Sequence, residues 1–171
     1  MSLKKALMTA HQCLTSGEVP HALIGGFALA ALGVPRATAD VDFLIDGAAA
    51  TRAKIEILKA GFSVVSETPE FIFLRGPCQL DLQLAKRPLS KSMIAQSSTN
   101  NVLGIPCVTV ENLIALKVQA FANQPKRELQ DKADIQNLMR IHAASLDLAL
   151  VRSYAELFQK WPEIELLWKT K

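Results

Sequence analysis

Three aspartates are the residues whose type and spacing point most directly to chemistry. Asp40 and Asp42 lie two apart in Asp-Val-Asp-Phe-Leu-Ile-Asp, residues 40–46, whose alternation predicts a strand. Residues two apart on a strand face the same way. Their Cα atoms then stand about 6–7 Å apart, from roughly 3.3 Å of rise per residue. Two carboxylates on one face repel each other unless a cation lies between them. Magnesium takes hard oxygen ligands and suits such a pair. Asp81 sits in Leu80-Asp81-Leu82, an acid inside a second strand pattern. If the two strands are neighbours, three carboxylates converge, as two-metal phosphoryl transfer requires. Asp81 is then the candidate to help deprotonate an acceptor. Taken singly, an Asp-x-Asp pair is more often a solvated strand end or a turn, so its upstream context matters.

That context is Ile24-Gly25-Gly26, which follows an apolar run and opens a helical stretch. Glycine lets backbone approach a phosphate, and free N–H groups at a helix start favour anions. The alternative is a tight strand-to-helix turn with no ligand. The spacing fits neither a dinucleotide fingerprint nor a P-loop, since no Gly-Lys-Ser/Thr follows. Arg36 lies four residues before Asp40. Its guanidinium suits either a triphosphate or a salt bridge to the acids. Thr38 either belongs to the nucleotide site or only shapes the turn.

The run IGGFALAALGVPRATADVDFLID resembles the signature of the polymerase-beta-like nucleotidyltransferases. Gly25, Gly26, Asp40, Asp42 and the later Asp81 match it one by one. Arg36-Ala37-Thr38-Ala39-Asp40-Val41-Asp42 looks like the Arg-x-Thr-x-Asp-x-Asp variant of minimal bacterial members related to abortive-infection toxins. The stretch ENLIALKVQAFANQPKRELQDKADIQNL is similar to the helical half of those proteins. There Lys117, Asp131 and Asp134 match a lysine followed by Lys-Asp-x-x-Asp, and Gln130 replaces the second lysine. The resemblance covers roughly residues 20–140. It implies nucleotide transfer with magnesium, and acceptors that range over RNA, proteins and antibiotics.

Read physically, Lys117 has Leu113, Ile114, Ala120 and Phe121 as helical neighbours. It therefore lies on the packed face of its helix and must snorkel out or meet an anion. The anion is either the triphosphate or a carboxylate such as Asp131 or Asp134. Asp131 falls in the apolar stripe of Ile135, Leu138 and Met139, with Asp134 at its edge. Buried acids need partners, so structural pairing stands beside a supporting role at the site.

The remaining pattern supplies the elements that position these groups. Helices are expected over 2–16, 27–33, 49–60, 88–98, from a Thr109 cap to about 122, from Pro125 to about 143, and over 147–160 and 162–169. Strands are expected over 21–25, 40–46, 63–67, 71–75 and 79–85. The plan is α+β: a single nucleotidyltransferase-like domain with a mixed sheet core in 1–86, flanked by helices, and a mainly helical half in 87–171. The 171 residues are half hydrophobic and 20% charged, with a net charge of +3, an ordinary globular balance. Cys13, Cys78 and Cys107 are odd in number, far apart and without a Cys-x-x-Cys pattern, which argues against a disulfide framework or zinc knuckle and suits a reducing compartment. His11, His21 and His142 lack metal-ligand spacing. The amino-terminal run reads as an amphipathic helix rather than a signal peptide, and no stretch is long enough to span a membrane. The expectation is a cytoplasmic, magnesium-dependent enzyme moving a nucleoside monophosphate from a nucleoside triphosphate to a hydroxyl of RNA or protein. The alternatives are an aminoglycoside-type acceptor, or a scaffold that binds nucleotide or a toxin–antitoxin partner protein without turnover.

Overall fold

The computed structural model describes residues 2–171. In chain order the elements are α1 (Leu3–Ser16), β1 (His21–Leu23), α2 (Gly25–Ala31), β2 (Asp40–Asp46), a 3-10 turn (Gly47–Ala49), α3 (Ala50–Lys59), β3 (Ser63–Glu67), β4 (Phe71–Arg75), β5 (Gln79–Ala85) and α4 (Pro88–Ala95). Then come α5 (Val110–Asn123), a 3-10 turn (Pro125–Arg127), α6 (Glu128–Ile141), α7 (Leu148–Leu157) and α8 (Trp161–Lys169). The α+β reading holds. The chain divides into two compact units, one holding the chain through Ala28 with Arg36–Val108, the other Leu29–Pro35 with Thr109–Lys171.

The first unit is built on a five-stranded mixed sheet in the order β1-β2-β5-β4-β3. Only β2 and β5 run parallel. Strands 40–46, 63–67, 71–75 and 79–85 fall where the alternation predicts them. One face of the sheet carries Val41, Phe43, Ile45, Leu80, Leu82, Ile72 and Leu74, all buried. That apolar face fixes the register, because a one-residue slip would turn every acid inward. α1 packs on α3 and β2, and its buried Ala6, Leu7, Ala10 and Leu14 form one stripe. α4 lies along β1, β2 and β5.

Several boundaries differ from expectation. β1 ends at Leu23 rather than at residue 25, and α2 begins at Gly25 rather than at residue 27. Gly25 has φ +64°, so the turn from strand to helix is made at that single residue. α4 ends at Ala95, where Gln96 caps it.

The second unit is helical. The Thr109 hydroxyl accepts from Asn112 N–H at 3.2 Å, the expected cap of α5. Asp147 caps α7 by accepting from Leu150 N–H at 2.9 Å. α5 packs on α6 and α7, and α8 packs on α6 and α7. The core is Leu113, Ile114, Val118, Phe121, Ile135, Leu138, Met139, Val151 and Ile164, all buried. Among the described residues no helix is long and apolar enough to cross a membrane.

Candidate active site

The parallel pairing of β2 with β5 sets Asp42 directly opposite Asp81, and Asp40 opposite Gln79. Alternation then puts all three aspartates on one face of the sheet. Their carboxylates each offer an oxygen within 4.8 Å of the others, and each residue is half-buried. At an effective dielectric near 20, two charges this close repel by roughly 3 kcal/mol. A proton or a cation must offset that. The donor set is three hard oxygens, which suits magnesium or manganese and not a soft metal.

The glycine turn is built against these acids. A Cβ on Gly25 would stand 2.0 Å from Asp42 Oδ2 and 2.9 Å from its Cβ. A Cβ on Gly26 would stand 2.6 Å from the Cβ and from Oγ1 of Thr38. The Thr38 hydroxyl in turn donates to Asp40 Oδ1 at 2.6 Å. Ile24 N–H donates to the Asp42 carbonyl at 3.1 Å, tying the turn to β2. Each glycine therefore admits one side chain of the site: Gly25 the Asp42 carboxylate, Gly26 the threonine that orients Asp40. Arg36 is half-buried in the loop that leads into β2.

On the other side of the pair, the Gln79 amide donates to both carboxylate oxygens of Asp81 at 3.3 Å. Burial raises the Asp81 carboxyl above its ordinary pKa, and the Asp40 charge adds to this, against the lowering hydrogen bond from Gln79. Cys78, half-buried in the turn before β5, has its thiol pKa raised by burial and then by the charges of Asp40 and Asp81. Phe73 on β4 is opposite Asp81 on β5. Gln79 and Phe73 are absent from the sequence-based site. The signal for Phe73 was present in the alternation of Phe71-Ile72-Phe73-Leu74-Arg75, but the strand order that brings β4 next to Asp81 was not.

Lys117, Asp131 and Asp134 form a separate cluster inside the helical unit. Lys117 is 5% exposed, and its ammonium donates to Asp131 Oδ1 at 3.1 Å and Asp134 Oδ2 at 2.6 Å. Arg127 Nε donates to Asp131 Oδ2 at 3.2 Å, and Gln130 reaches Asp134 Oδ1 at 3.4 Å. Gln130, standing where the resemblance expects lysine, thus serves as a neutral donor to Asp134.

Carboxylates converging from adjacent strands beside a glycine turn, on a mixed sheet with a helical unit following, define a nucleotidyltransferase of the polymerase-beta-like type. The family model described as "Nucleotidyl transferase AbiEii toxin, Type IV TA system" matches residues 15–166, and the chain belongs to that family. It is a nucleotidyltransferase. No curated protein sequence matches it. Among solved structures it resembles the antibiotic-resistance factor ANT(2'')-Ia in solution, at TM-score 0.70 and 16% identity over 95% of this chain and 94% of that one. It also resembles the lincosamide antibiotic adenylyltransferase LnuA, lincomycin-bound, at TM-score 0.58 and 18% identity over 80% and 96% of the two chains. A third is an antigenic nucleotidyltransferase-like protein from Paracoccidioides brasiliensis, at TM-score 0.58 and 20% identity over 99% and 93%. At these identities the structures share the fold.

Proposed function

We propose that the protein binds a nucleoside triphosphate with magnesium at Asp40, Asp42 and Asp81 and transfers the nucleoside monophosphate to a hydroxyl of RNA or protein. The observation that supports this is the meeting of three carboxylates within 4.8 Å beside a glycine turn shaped to admit them. Magnesium, when bound, neutralises charge on the triphosphate and on the departing pyrophosphate. Asp81, the acid on β5 and so the one farthest from the glycine turn, takes the acceptor proton. Thr38 keeps Asp40 aimed through its 2.6 Å hydrogen bond. Arg36 contacts phosphate by paired N–H groups. Gly25 and Gly26 allow the triphosphate near the backbone on the β1 side of the acids.

In this reading Lys117 acts within its own unit, its ammonium neutralising the buried Asp131 and Asp134 carboxylates. The family's description as a toxin of a type IV system supports a protein partner of the antitoxin kind. The toxin-like Arg-x-Thr-x-Asp-x-Asp run at residues 36–42 supports a macromolecular acceptor over an aminoglycoside by resemblance.

The test is incubation with each of the four triphosphates labelled at the α-phosphate, together with total RNA, total protein or an aminoglycoside panel. Label on RNA or protein, dependent on magnesium and lost in Asp42→Asn, supports the proposal. Label on aminoglycosides alone overturns the acceptor. Bound nucleotide with no transfer to any of them overturns the chemistry.

A further inference from the structure

The sheet face that carries the acids continues past Asp81. Strand order fixes the sequence of groups across it: the glycine turn beside β1, Asp42 on β2, Asp81 on β5, then Phe73 on β4. Adjacent strands are about 4.8 Å apart, so Phe73 is one strand from Asp81 on the side away from the glycines. Phe71 shares its face, and the two rings are stacked at 5.5 Å between centroids and 14° between planes. Both are partly exposed. Register places Gln83 opposite Phe71, Asp81 opposite Phe73 and Gln79 opposite the exposed Arg75. A shallow concavity of about 330 Å³ is lined by Val65, Ser66, Phe73, Leu74, Arg75 and Gln79. Val65, at the bulge where the β3–β4 register shifts, is 63% exposed. Through Gln79 the concavity adjoins the Asp81 carboxylate, because that amide donates to both of its oxygens.

Two stacked and partly exposed aromatic rings on one strand present π faces on which a flat group can stack. We propose that Phe71 and Phe73 are the platform on which the terminal nucleoside of an RNA acceptor stacks, with Arg75 on its phosphate, so that its hydroxyl faces Asp81. The inference rests on the transfer reading above and supplies its acceptor subsite. Charge decides the occupant. Around the pair this face offers Gln83, Gln79, Ser63, Ser66 and Arg75, and the acid beside it is Asp81 of the metal site. Glu67 pairs with Ile72 on the opposite face and is bound by Lys54 at 3.0 Å. A polycationic aminoglycoside would find an arginine where it needs carboxylates. A nucleoside finds π faces for its base and a guanidinium for its phosphate.

The position suits the reaction. The acceptor hydroxyl oxygen forms a bond to the α-phosphorus of the triphosphate. The bond from that phosphorus to the oxygen bridging to the β-phosphate breaks, and pyrophosphate leaves with that electron pair. The hydroxyl proton passes to Asp81 and then to water. An acceptor on the β4 side and a triphosphate on the glycine side would approach the three aspartates from opposite flanks, the in-line arrangement such a displacement needs.

The experiment measures transfer from α-labelled triphosphate to total RNA as the RNA concentration is varied, and in parallel measures triphosphate binding with magnesium. Wild type is compared with Phe73→Leu, Phe73→Trp, Arg75→Gln and Asp42→Asn. Phe73→Leu should raise the RNA concentration needed for half-maximal rate about tenfold, the size of one stacking contact. Its triphosphate affinity should hold, and Phe73→Trp should restore the wild-type curve. Arg75→Gln should weaken RNA use and flatten its salt dependence. An unchanged RNA curve in Phe73→Leu, or equal loss of RNA and triphosphate binding, overturns the platform. So does wild-type protein that labels protein or aminoglycosides but not RNA; in that case loss of transfer in Asp42→Asn still upholds the metal site, and only the acceptor subsite falls.

Discussion

Gly25 and Asp42 share one volume: the position a Gly25 Cβ would take lies 2.0 Å from Asp42 Oδ2, and φ at Gly25 is +64°. A side chain there meets the carboxylate and also strains the backbone. Gly25→Ala should therefore push Asp42 out of line with Asp40 and Asp81. A displacement near 1 Å at a reacting centre costs about a hundredfold in rate, so kcat should fall by about that much. The left-handed conformation adds about 1–2 kcal/mol of instability. Steady-state kinetics and urea melts on the one variant separate the two effects. Near-wild-type turnover would mean that Asp42 has freedom the site does not require.

The three carboxylates oppose one another when no cation is present. Asp42→Asn removes one charge from a cluster whose oxygens lie within 4.8 Å. Without magnesium the variant should melt at the wild-type temperature or slightly above it, because repulsion is relieved. With magnesium at a hundredfold excess over the wild-type Kd, wild type should gain about 2.7 kcal/mol and the variant at most about half of that. Thermal melts with and without magnesium test both halves. A marked loss of stability in metal-free Asp42→Asn would make Asp42 a structural hydrogen-bonding residue.

Lys117 should matter to stability before it matters to catalysis. Lys117 is 5% exposed, and its ammonium is shared by Asp131 and Asp134. Lys117→Met keeps the aliphatic stem and leaves two buried carboxylates facing one another. Breaking a buried pair in this way costs about 3–5 kcal/mol. The double variant Lys117→Met with Asp134→Asn should recover part of the loss. Denaturant melts with wild-type stability in Lys117→Met would show that the two acids carry no buried charge.

The His11–His21 pair should make the sheet unit sensitive to acid. His21 Nδ1 donates to the Val19 carbonyl at 2.7 Å, which leaves Nε2 to accept from His11 Nδ1 at 2.8 Å. Burial lowers both pKa values from the ordinary 6.5. The unfolded chain then takes up protons that the folded chain resists. Stability is full above about pH 6.5, the unfolded value, and falls as pH drops below it toward the folded values. Urea melts across this range should show the decline, and His21→Leu should reduce it. A flat profile in wild type would mean that the pair is protonated without cost.

Much of this was legible in the chain. The Asp40–Asp42 spacing gave one face of a strand, and the alternation around Asp81 gave another. Lys117 was readable as a packed-face lysine in need of an anion because its helical neighbours are apolar. Strand order was not legible, because alternation says which face a residue takes and not which strand lies beside it. Alternation alone therefore does not bring Phe73 and Gln79 to Asp81, although both flank it. The glycines were legible as a turn, but their fit against Asp42 and Thr38 depends on distances between segments far apart in sequence. The sequence does not separate the 3-10 turn at Pro125–Arg127 from the helix after it, because proline suits the first turn of both.

The central claim is that Asp40, Asp42 and Asp81 together hold the divalent ion that carries the nucleotide chemistry. The direct measurement is manganese binding, followed by electron paramagnetic resonance with a non-hydrolysable triphosphate, in wild type and in the three single Asp→Asn variants. The account predicts saturable binding in wild type and at least about tenfold weaker binding in each variant, since each loses one charged ligand. Wild-type manganese affinity in all three variants would contradict it.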